Sequence, residues 1–426
     1  MNGLAVWKRI TAVIVEWQRA EAPLVPQAQG RPLESPERRG RLRRSRKPTI
    51  LFQWTSHGPY HLDRLEAVHA ARITDLDIAG VAITSSTDTH PWERVSSEHV
   101  KIYNLLDRKF QDTTAWQRLV RRLSDLRNYK IKYAFLCNHD LIDTLAVAVV
   151  LRLLGAKVYL MMDSKFDDKK RWLWRELLKS FYLLPYHGAL ASGRRSRDYA
   201  EFLGMRSDRL FEGYDTVSVA RIRALAQAQP APEGTPFALR HFTVVARLVP
   251  KKNLFLAIDA YARYRQAAGA DARALHLCGT GELEESLRAD VARRELAGVE
   301  FRSWLGAEAV AKALATSLAL ILPSVEEQWG LVVNEALAMG VPILCSDNVG
   351  ARDSLVRTAV NGYVFESDNS EGLAHLMTRV ATDEQEWRRM AEAAAEFSYK
   401  GDTCQFVSGV AKVLGHGKSA LGAIER

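Results

Sequence analysis

Two doubly wound, parallel-sheet α/β domains are predicted by three observations. From Thr49 onward, strand-like apolar runs alternate with helical stretches; the alternation stops at a Pro-rich break near residue 230, and then it resumes. Alternation of this kind produces parallel sheets covered by helices. At 426 residues the chain exceeds a typical single core, so two domains of ordinary size accommodate it. With 47% apolar and 26% charged residues, the composition is that of a soluble globular protein rather than a disordered or fibrous one. No apolar run approaches the ~20 residues of a membrane-spanning helix.

The predicted organisation is an amphipathic helix and basic disordered linker at 1–47, a Rossmann-like domain at 48–225, and a linker at 226–237. A second Rossmann-like domain follows at 238–395, with a C-terminal helix at 396–426. In the first segment Leu4, Trp7, Ile10, Ile14 and Trp17 recur at near-helical spacing, with Lys8, Arg9, Glu16 and Arg19 between them. Residues 20–47 are rich in Pro, Gly, Gln and Arg. Eight basic residues from Arg31 to Lys47 stand against Glu34 and Glu37, so this arm carries six of the nine excess positive charges. Stripe and arm suit either peripheral contact with an anionic membrane or a plain flexible extension. Nucleic-acid binding through the arm is the reading from a different class. It conflicts with the lack of interleaved aromatics and a nearly neutral remainder, so no nucleic-acid partner is expected. Glu16, Gln18 and Arg19 interrupt the apolar start, which argues against a secretory signal. The four scattered cysteines have neither Cys-x-x-Cys nor zinc spacing, as expected for free thiols in a reducing cytoplasm. The expected location is cytoplasmic, at the inner membrane face if the arm docks.

Strands are predicted at 50–54, 79–83, 134–137, 158–162 and 189–191, with helices between, including 61–72 and 141–154. The second series places strands at 242–246, 275–278, 299–302, 318–322 and 343–346, and helices at 254–265 and 331–339. Residues 387–414 are helical in pattern.

The chemistry gathers at strand ends. After the 318–322 run, the stretch Glu326-Glu327-Gln328-Trp329-Gly330-Leu331 makes a turn, and the helix after it is closed by Gly340 and Pro342. Glu327 in the turn and Glu335 on the helix lie eight positions apart at the carboxyl end of a parallel strand, where ligands of open α/β sheets bind. Such carboxylates accept hydrogen bonds from sugar and ribose hydroxyls. Arg247-Leu248-Val249-Pro250-Lys251-Lys252-Asn253 follows the first strand of the second series and precedes a helix, a natural diphosphate site. Gly279-Thr280-Gly281 follows the next strand. Val349-Gly350 and a turn at Asn361-Gly362 come later. In the first series, Ser56-His57-Gly58-Pro59-Tyr60-His61 and Cys137-Asn138-His139-Asp140 each follow a strand.

In their order and spacing, these stretches resemble nucleotide-sugar glycosyltransferases of the retaining group called glycosyltransferase family four, or group 1, with GT-B architecture. The Glu327–Glu335 pair resembles that family's Glu-x7-Glu signature, and Arg247 to Lys252 its Arg-Leu-x-Pro-x-Lys stretch. Gln328, Trp329 and Val332 depart from its commonest Gly, Phe and Pro. The resemblance implies two domains facing a cleft, the second holding the donor and the first the acceptor. It places Arg247 and Lys252 on the donor diphosphate, Gly279 and Gly281 near the nucleotide, Glu335 on the ribose and Glu327 on the transferred sugar. The backbone amides of Trp329, Gly330 and Leu331 would meet sugar or phosphate. His139 would contact the reacting centre, so the implied catalytic set is His139, Glu327, Arg247 and Lys252. Asp140 either orients His139 or serves the helix dipole. His57, Gly58, Tyr60 and His61 face donor phosphate or acceptor, or else simply make a turn. Arg194 and Arg195 are candidate acceptor contacts, and Asp163 stands where the family often has another His. The implied reaction is sugar transfer, with retention, to a saccharide or lipid-linked acceptor in polysaccharide or glycoconjugate biosynthesis. A nucleoside-diphosphate sugar is the co-substrate, and neither a further cofactor nor a metal is expected. A nucleotide-sugar epimerase or a phosphorylase of the same architecture is the alternative. The end of the C-terminal helix would cross back onto the first domain.

Overall fold

The computed structural model describes residues 47–87 and 95–415. The amphipathic stripe and the basic arm up to Arg46 lie outside the described residues. The first half runs β1 (Pro48–Trp54), α1 (Pro59–Ala70), β2 (Asp77–Ser86), β3 (Lys101–Lys109), α2 (Ala115–Leu126), β4 (Lys130–Leu136), α3 (Ile142–Leu153) and β5 (Lys157–Met162). It continues with α4 (Leu173–Leu183), β6 (Gly188–Ala191), α5 (Arg194–Phe202), β7 (Leu210–Glu212) and α6 (Val219–Ala226). The second half begins β8 (His241–Val245), α7 (Leu254–Ala268), β9 (Leu275–Cys278), α8 (Glu284–Arg293), β10 (Val299–Arg302), α9 (Ala307–Ala315) and β11 (Ser317–Leu322). It ends with α10 (Leu331–Ala338), β12 (Ile343–Ser346), α11 (Arg352–Leu355), β13 (Gly362–Phe365), α12 (Ser370–Thr382), α13 (Glu384–Phe397) and α14 (Thr403–Leu414).

The first sheet has the order β3-β2-β1-β4-β5-β6-β7 and the second β10-β9-β8-β11-β12-β13. All five pairings of the second sheet are parallel. So are β1–β2, β1–β4, β2–β3 and β6–β7 in the first. The protein therefore holds two parallel-sheet α/β domains, as the alternation predicts. Each sheet reverses its strand order once, between β1 and β4 and between β8 and β11. Ligands of this fold class bind outside the carboxyl ends of the strands at such a switch point.

By density of contacts the chain parts into two compact units. Among the described residues, one holds 47–58, 75–159 and Pro185–His187; the other holds Pro59–Thr74, Leu160–Leu184 and 188–415. In the first unit Phe52 stacks on Phe135 with ring centroids 4.7 Å apart, and Phe135 on Tyr159 at 5.6 Å. Behind them lies a buried ionic network. Arg118 and Arg122 on α2 both reach Asp143 on α3, at 2.9 Å and 3.0 Å, and Arg122 also donates to Gln53 on β1. Thr114 and Gln117 start α2 with a reciprocal capping box.

In the second unit β11 is buried along its whole length, the continuous apolar run of a strand covered on both faces. The 226–237 stretch packs onto this unit: the Ala231 amide donates to Met339 O at 2.9 Å, and Phe237 lies 5.2 Å from the Trp387 ring. The 387–414 pattern resolves into two helices rather than one. They are separated by a short turn at Ser398–Gly401, and Asp402 caps α14 by accepting from Cys404 N. The Asn334 amide pins this break, donating to Gly401 O at 3.0 Å and to Asp215 O at 3.1 Å. α14 then packs on α1 and β7. The turn expected at Asn361-Gly362 is instead the start of strand β13, which pairs with β12 from Gly362 onward.

Candidate active site

The loops after β8 and β11 meet at the second sheet's switch point, because these two strands are direct neighbours. The β8 loop turns through Pro250–Lys252, and Asn253 takes a left-handed conformation before α7. The two loops are bonded together: Val325 N donates to Lys251 O at 2.9 Å, and Lys251 pairs with Glu326 at 3.6 Å. Lys252 Nζ forms an ion pair with Glu327 Oε2, which also accepts from Ser324 Oγ at 3.0 Å. Both partners are largely buried, at 12% and 14% exposure, so the pair is held in one geometry. Arg247, five residues before Lys252, is exposed, and its guanidinium meets no partner among the described residues.

The β11 turn is braced from the far side by the Val349-Gly350 loop. Gly350 N donates to Glu327 O at 3.1 Å and Ala351 N to Trp329 O at 3.0 Å. A Cβ on Gly350 would sit 1.8 Å from Gln328 O, so only glycine permits this approach. The Trp329 indole turns inward, 6% exposed, and donates to Asn334 Oδ1 at 2.9 Å. Trp329 therefore offers its backbone, not its ring. Gly330 at φ 97° leads into α10. The amides of Trp329, Gly330 and Leu331 donate to no acceptor among the described residues. Such N–H groups at a helix start attract anions. Gly279 and Gly281 serve a close approach: added Cβ atoms would lie 1.9 Å from Ala246 O and 2.4 Å from Leu248 O. They let the β9 loop press against the one bearing Arg247.

Glu335 on α10 is 4% exposed and accepts a 2.8 Å hydrogen bond from Tyr60 OH on α1. Arg221 stands 5.7 Å above the Tyr60 ring and grips Asp63 through Nε and Nη2 at 2.7–2.9 Å. Burial pushes the Glu335 carboxyl up to about 7, against the opposing pull of Tyr60 and Arg221. A raised carboxyl favours its protonated form in the folded chain. Its stabilisation is fully present below the usual 4.5 and is lost as pH rises through about 7. Relative to Glu335→Gln, the unmodified protein should lose roughly 2–3 kcal/mol of stability between about pH 5 and about pH 8. Urea unfolding at the two values checks this; parallel behaviour of both proteins would refute the assignment.

Close by in the same unit, Arg64 is 1% exposed and donates to Asp215 Oδ1 and Thr216 O at 3.1 Å each. Ser192 Oγ donates to Asp215 Oδ2 at 2.7 Å. Burial and the neighbouring Asp215 raise Asp163 to about 7. Arg195 is tied to Asp353 and Asp167, whereas Arg194 is exposed beside Asp198. None of these pairings was drawn from the sequence. A signal was present in Tyr60, Asp63 and Arg64, which share one face of α1 at spacings of three and four.

The remaining predicted residues divide between the units. His57 and Gly58 lie in the first, Tyr60 and the buried His61 in the second. His57 packs edge-on against Trp54, and burial lowers its imidazole to about 4, outweighing a hydrogen bond to Asn104. It carries no positive charge near neutral pH. His139 is buried in the first unit. It follows Asn138, a residue at φ 60° whose side chain accepts from Thr55 Oγ1 at 2.8 Å. Asp140 is exposed just before α3.

One part of the chain is similar to known proteins. Residues 227–397 match the family model described as glycosyl transferases group 1. This segment is similar to the group 1 glycosyl transferases. The matched segment contains Arg247, Lys252, Glu327 and Glu335; Tyr60, Asp63 and Arg64 fall outside it. An uncharacterized glycosyltransferase of Methanocaldococcus jannaschii is 27% identical over 169 residues, 40% of this chain and 46% of the relative. The N-acetyl-alpha-D-glucosaminyl L-malate synthase of Bacillus anthracis is 35% identical over 91 residues, 21% of this chain and 24% of the relative. The chain thus matches less than half the length of either. Among solved structures, Anabaena HepE in complex with UDP superposes with a TM-score of 0.64 at 16% identity, covering 87% of this chain and 99% of that one. At that identity the likeness is one of fold, and the fold is that of GT-B glycosyltransferases.

Proposed function

We propose that the protein is a nucleotide-sugar-dependent glycosyltransferase. It transfers a hexosyl or related sugar from a nucleoside diphosphate to a hydroxyl of a saccharide or lipid-linked acceptor. Transfer proceeds with retention, without a metal, in polysaccharide or glycoconjugate biosynthesis. One observation carries the reading: the exposed Arg247 and the Lys252–Glu327 pair stand at the β8/β11 switch point beside the open amides that begin α10. Arg247, Lys252 and those amides would neutralise the diphosphate as charge builds on the leaving oxygen, the differential stabilisation that catalysis needs. Glu327, already oriented by Lys252 and Ser324, would accept from sugar hydroxyls. Glu335 would accept from the ribose, sharing its carboxylate with Tyr60 OH. Similarity to a protein solved with UDP supports a uridine nucleotide.

A thermal-shift screen of UDP-, GDP-, ADP- and dTDP-glucose tests the donor site. A ligand at a hundred times its Kd adds about 2.7 kcal/mol, a rise of several degrees. The uridine nucleotide is expected to give that rise, and Arg247→Ala to lose most of it. No shift with any nucleotide at millimolar concentration would end the proposal.

A further inference from the structure

Helix α4 is amphipathic the wrong way round for a water-soluble surface. Leu173, Trp174, Leu177, Leu178, Phe181 and Leu184 are 52–75% exposed, and their spacing puts them on one helical face. Glu176 looks inward instead. It is buried and accepts from Tyr199 OH and from Lys179 Nζ, while Arg171 lies over the Tyr199 ring at 4.6 Å. The approach to the helix extends the apolar face, with Phe166 at 46% and Trp172 at 60% exposure. An exposed apolar patch of this extent on a soluble protein marks a surface that something covers.

Charge identifies the cover. Lys169, Lys170 and Arg175 are exposed around this face and have no carboxylate partner among the described residues; Arg175 only lies over the Trp174 ring at 5.1 Å. The acidic groups of the same segment are all engaged: Asp167 and Asp168 by Lys165, Asp167 also by Arg195, and Glu176 by Arg171 and Lys179. The rim is therefore positive around an apolar centre. Two copies of this face would set three cations against three, which opposes self-association. An anionic lipid surface matches both features: acyl chains receive the leucines, tryptophans favour the headgroup level, and the cations meet phosphate. No described helix is long and apolar enough to cross a membrane, so α4 would lie in its plane.

We infer that residues 166–184 form a membrane-docking surface, with α4 laid into the headgroup region of an anionic lipid bilayer. The site lies within the described residues, shares none with the stripe and arm at 1–47, and stands whether or not the chain transfers sugar.

The test is co-sedimentation of the full chain with vesicles of phosphatidylglycerol and phosphatidylcholine, compared with phosphatidylcholine alone. The unmodified protein is expected to partition onto the anionic vesicles. The triple variant Leu173→Ser, Leu177→Ser, Phe181→Ser should lose at least tenfold in partitioning while keeping its melting temperature. Binding unchanged in the variant would overturn the proposal, since the attachment would then lie elsewhere. Failure of the unmodified protein to bind, with self-association abolished by the same substitutions, would overturn it in favour of a second copy. If the variant folds poorly, hydrogen exchange on the unmodified protein decides. Anionic vesicles should protect the amides of residues 166–184, and unaltered exchange there would refute the proposal.

Discussion

Replacing Lys252 with alanine is expected to lower kcat for sugar transfer by roughly 10²–10³-fold, the usual cost of deleting one donor aimed at developing charge. Two losses combine. The leaving diphosphate loses a cation, and Glu327 loses the partner that holds its carboxylate in place. Arg247→Ala removes a cation with no partner among the described residues, so it should weaken donor binding and lower the rate together, by about one to two decades. The distinguishing readout is the split between kcat and KM. Lys252→Ala should act mainly on kcat, because the largest loss comes as charge develops. A Lys252→Ala enzyme within fivefold of the unmodified rate would remove this residue from the mechanism.

Asp143→Ala should be the most damaging single change to stability in the first unit. Asp143 is the common acceptor for Arg118 and Arg122, and the Arg122 side chain is 1% exposed. Burial already lowers the Arg122 guanidinium to about 10, against the support of Asp143. Removing that support leaves two guanidinium groups without their counter-charge, at a cost of about 3–5 kcal/mol. Arg122 would retain only the neutral acceptors Gln53 and Thr144. The melting temperature should fall by roughly 10 °C. A drop under about 2 °C would mean that water reaches the network.

The sequence revealed the sheet interiors and one edge, β10, and concealed the other three edges. Fully covered strands appear as apolar runs, unbroken in β11 and interrupted only by Gln53 in the 50–54 stretch of β1, which is why 50–54 and 318–322 were legible. Three strands went unread: β3, β7 and β13, each at the edge of its sheet. Edge strands carry charge or stay short to discourage further pairing. Lys101–Lys109 follows that rule with an exposed, lysine-flanked sequence, and Leu210–Glu212 by having only 3 residues. Within the candidate site, the loops bearing Lys252 and Glu327 were each recognisable, but their ion pair was not drawn from the sequence. The Tyr60–Glu335 bond could not be anticipated, for it joins residues 275 positions apart through tertiary packing alone. Nor could the inward turn of Trp329, since a tryptophan beside a helix start reads equally well as a wall of the pocket.

Helix α1 sits early in the chain yet belongs to the compact unit that holds the segment matching the group 1 family. Its Tyr60, Asp63 and Arg64 are the partners of Glu335, Arg221 and Asp215. A fragment beginning at residue 227 would therefore leave Glu335 bereft, and one beginning at Gly188 would strand Asp215 and Arg221 as well. Recombination between relatives faces the same obstacle. A chimera joined at the start of the matched segment inherits the carboxylates from one parent and their partners from the other. Viable hybrids should be those whose parents agree at positions 60, 63 and 64, or those in which α1 travels with the second half.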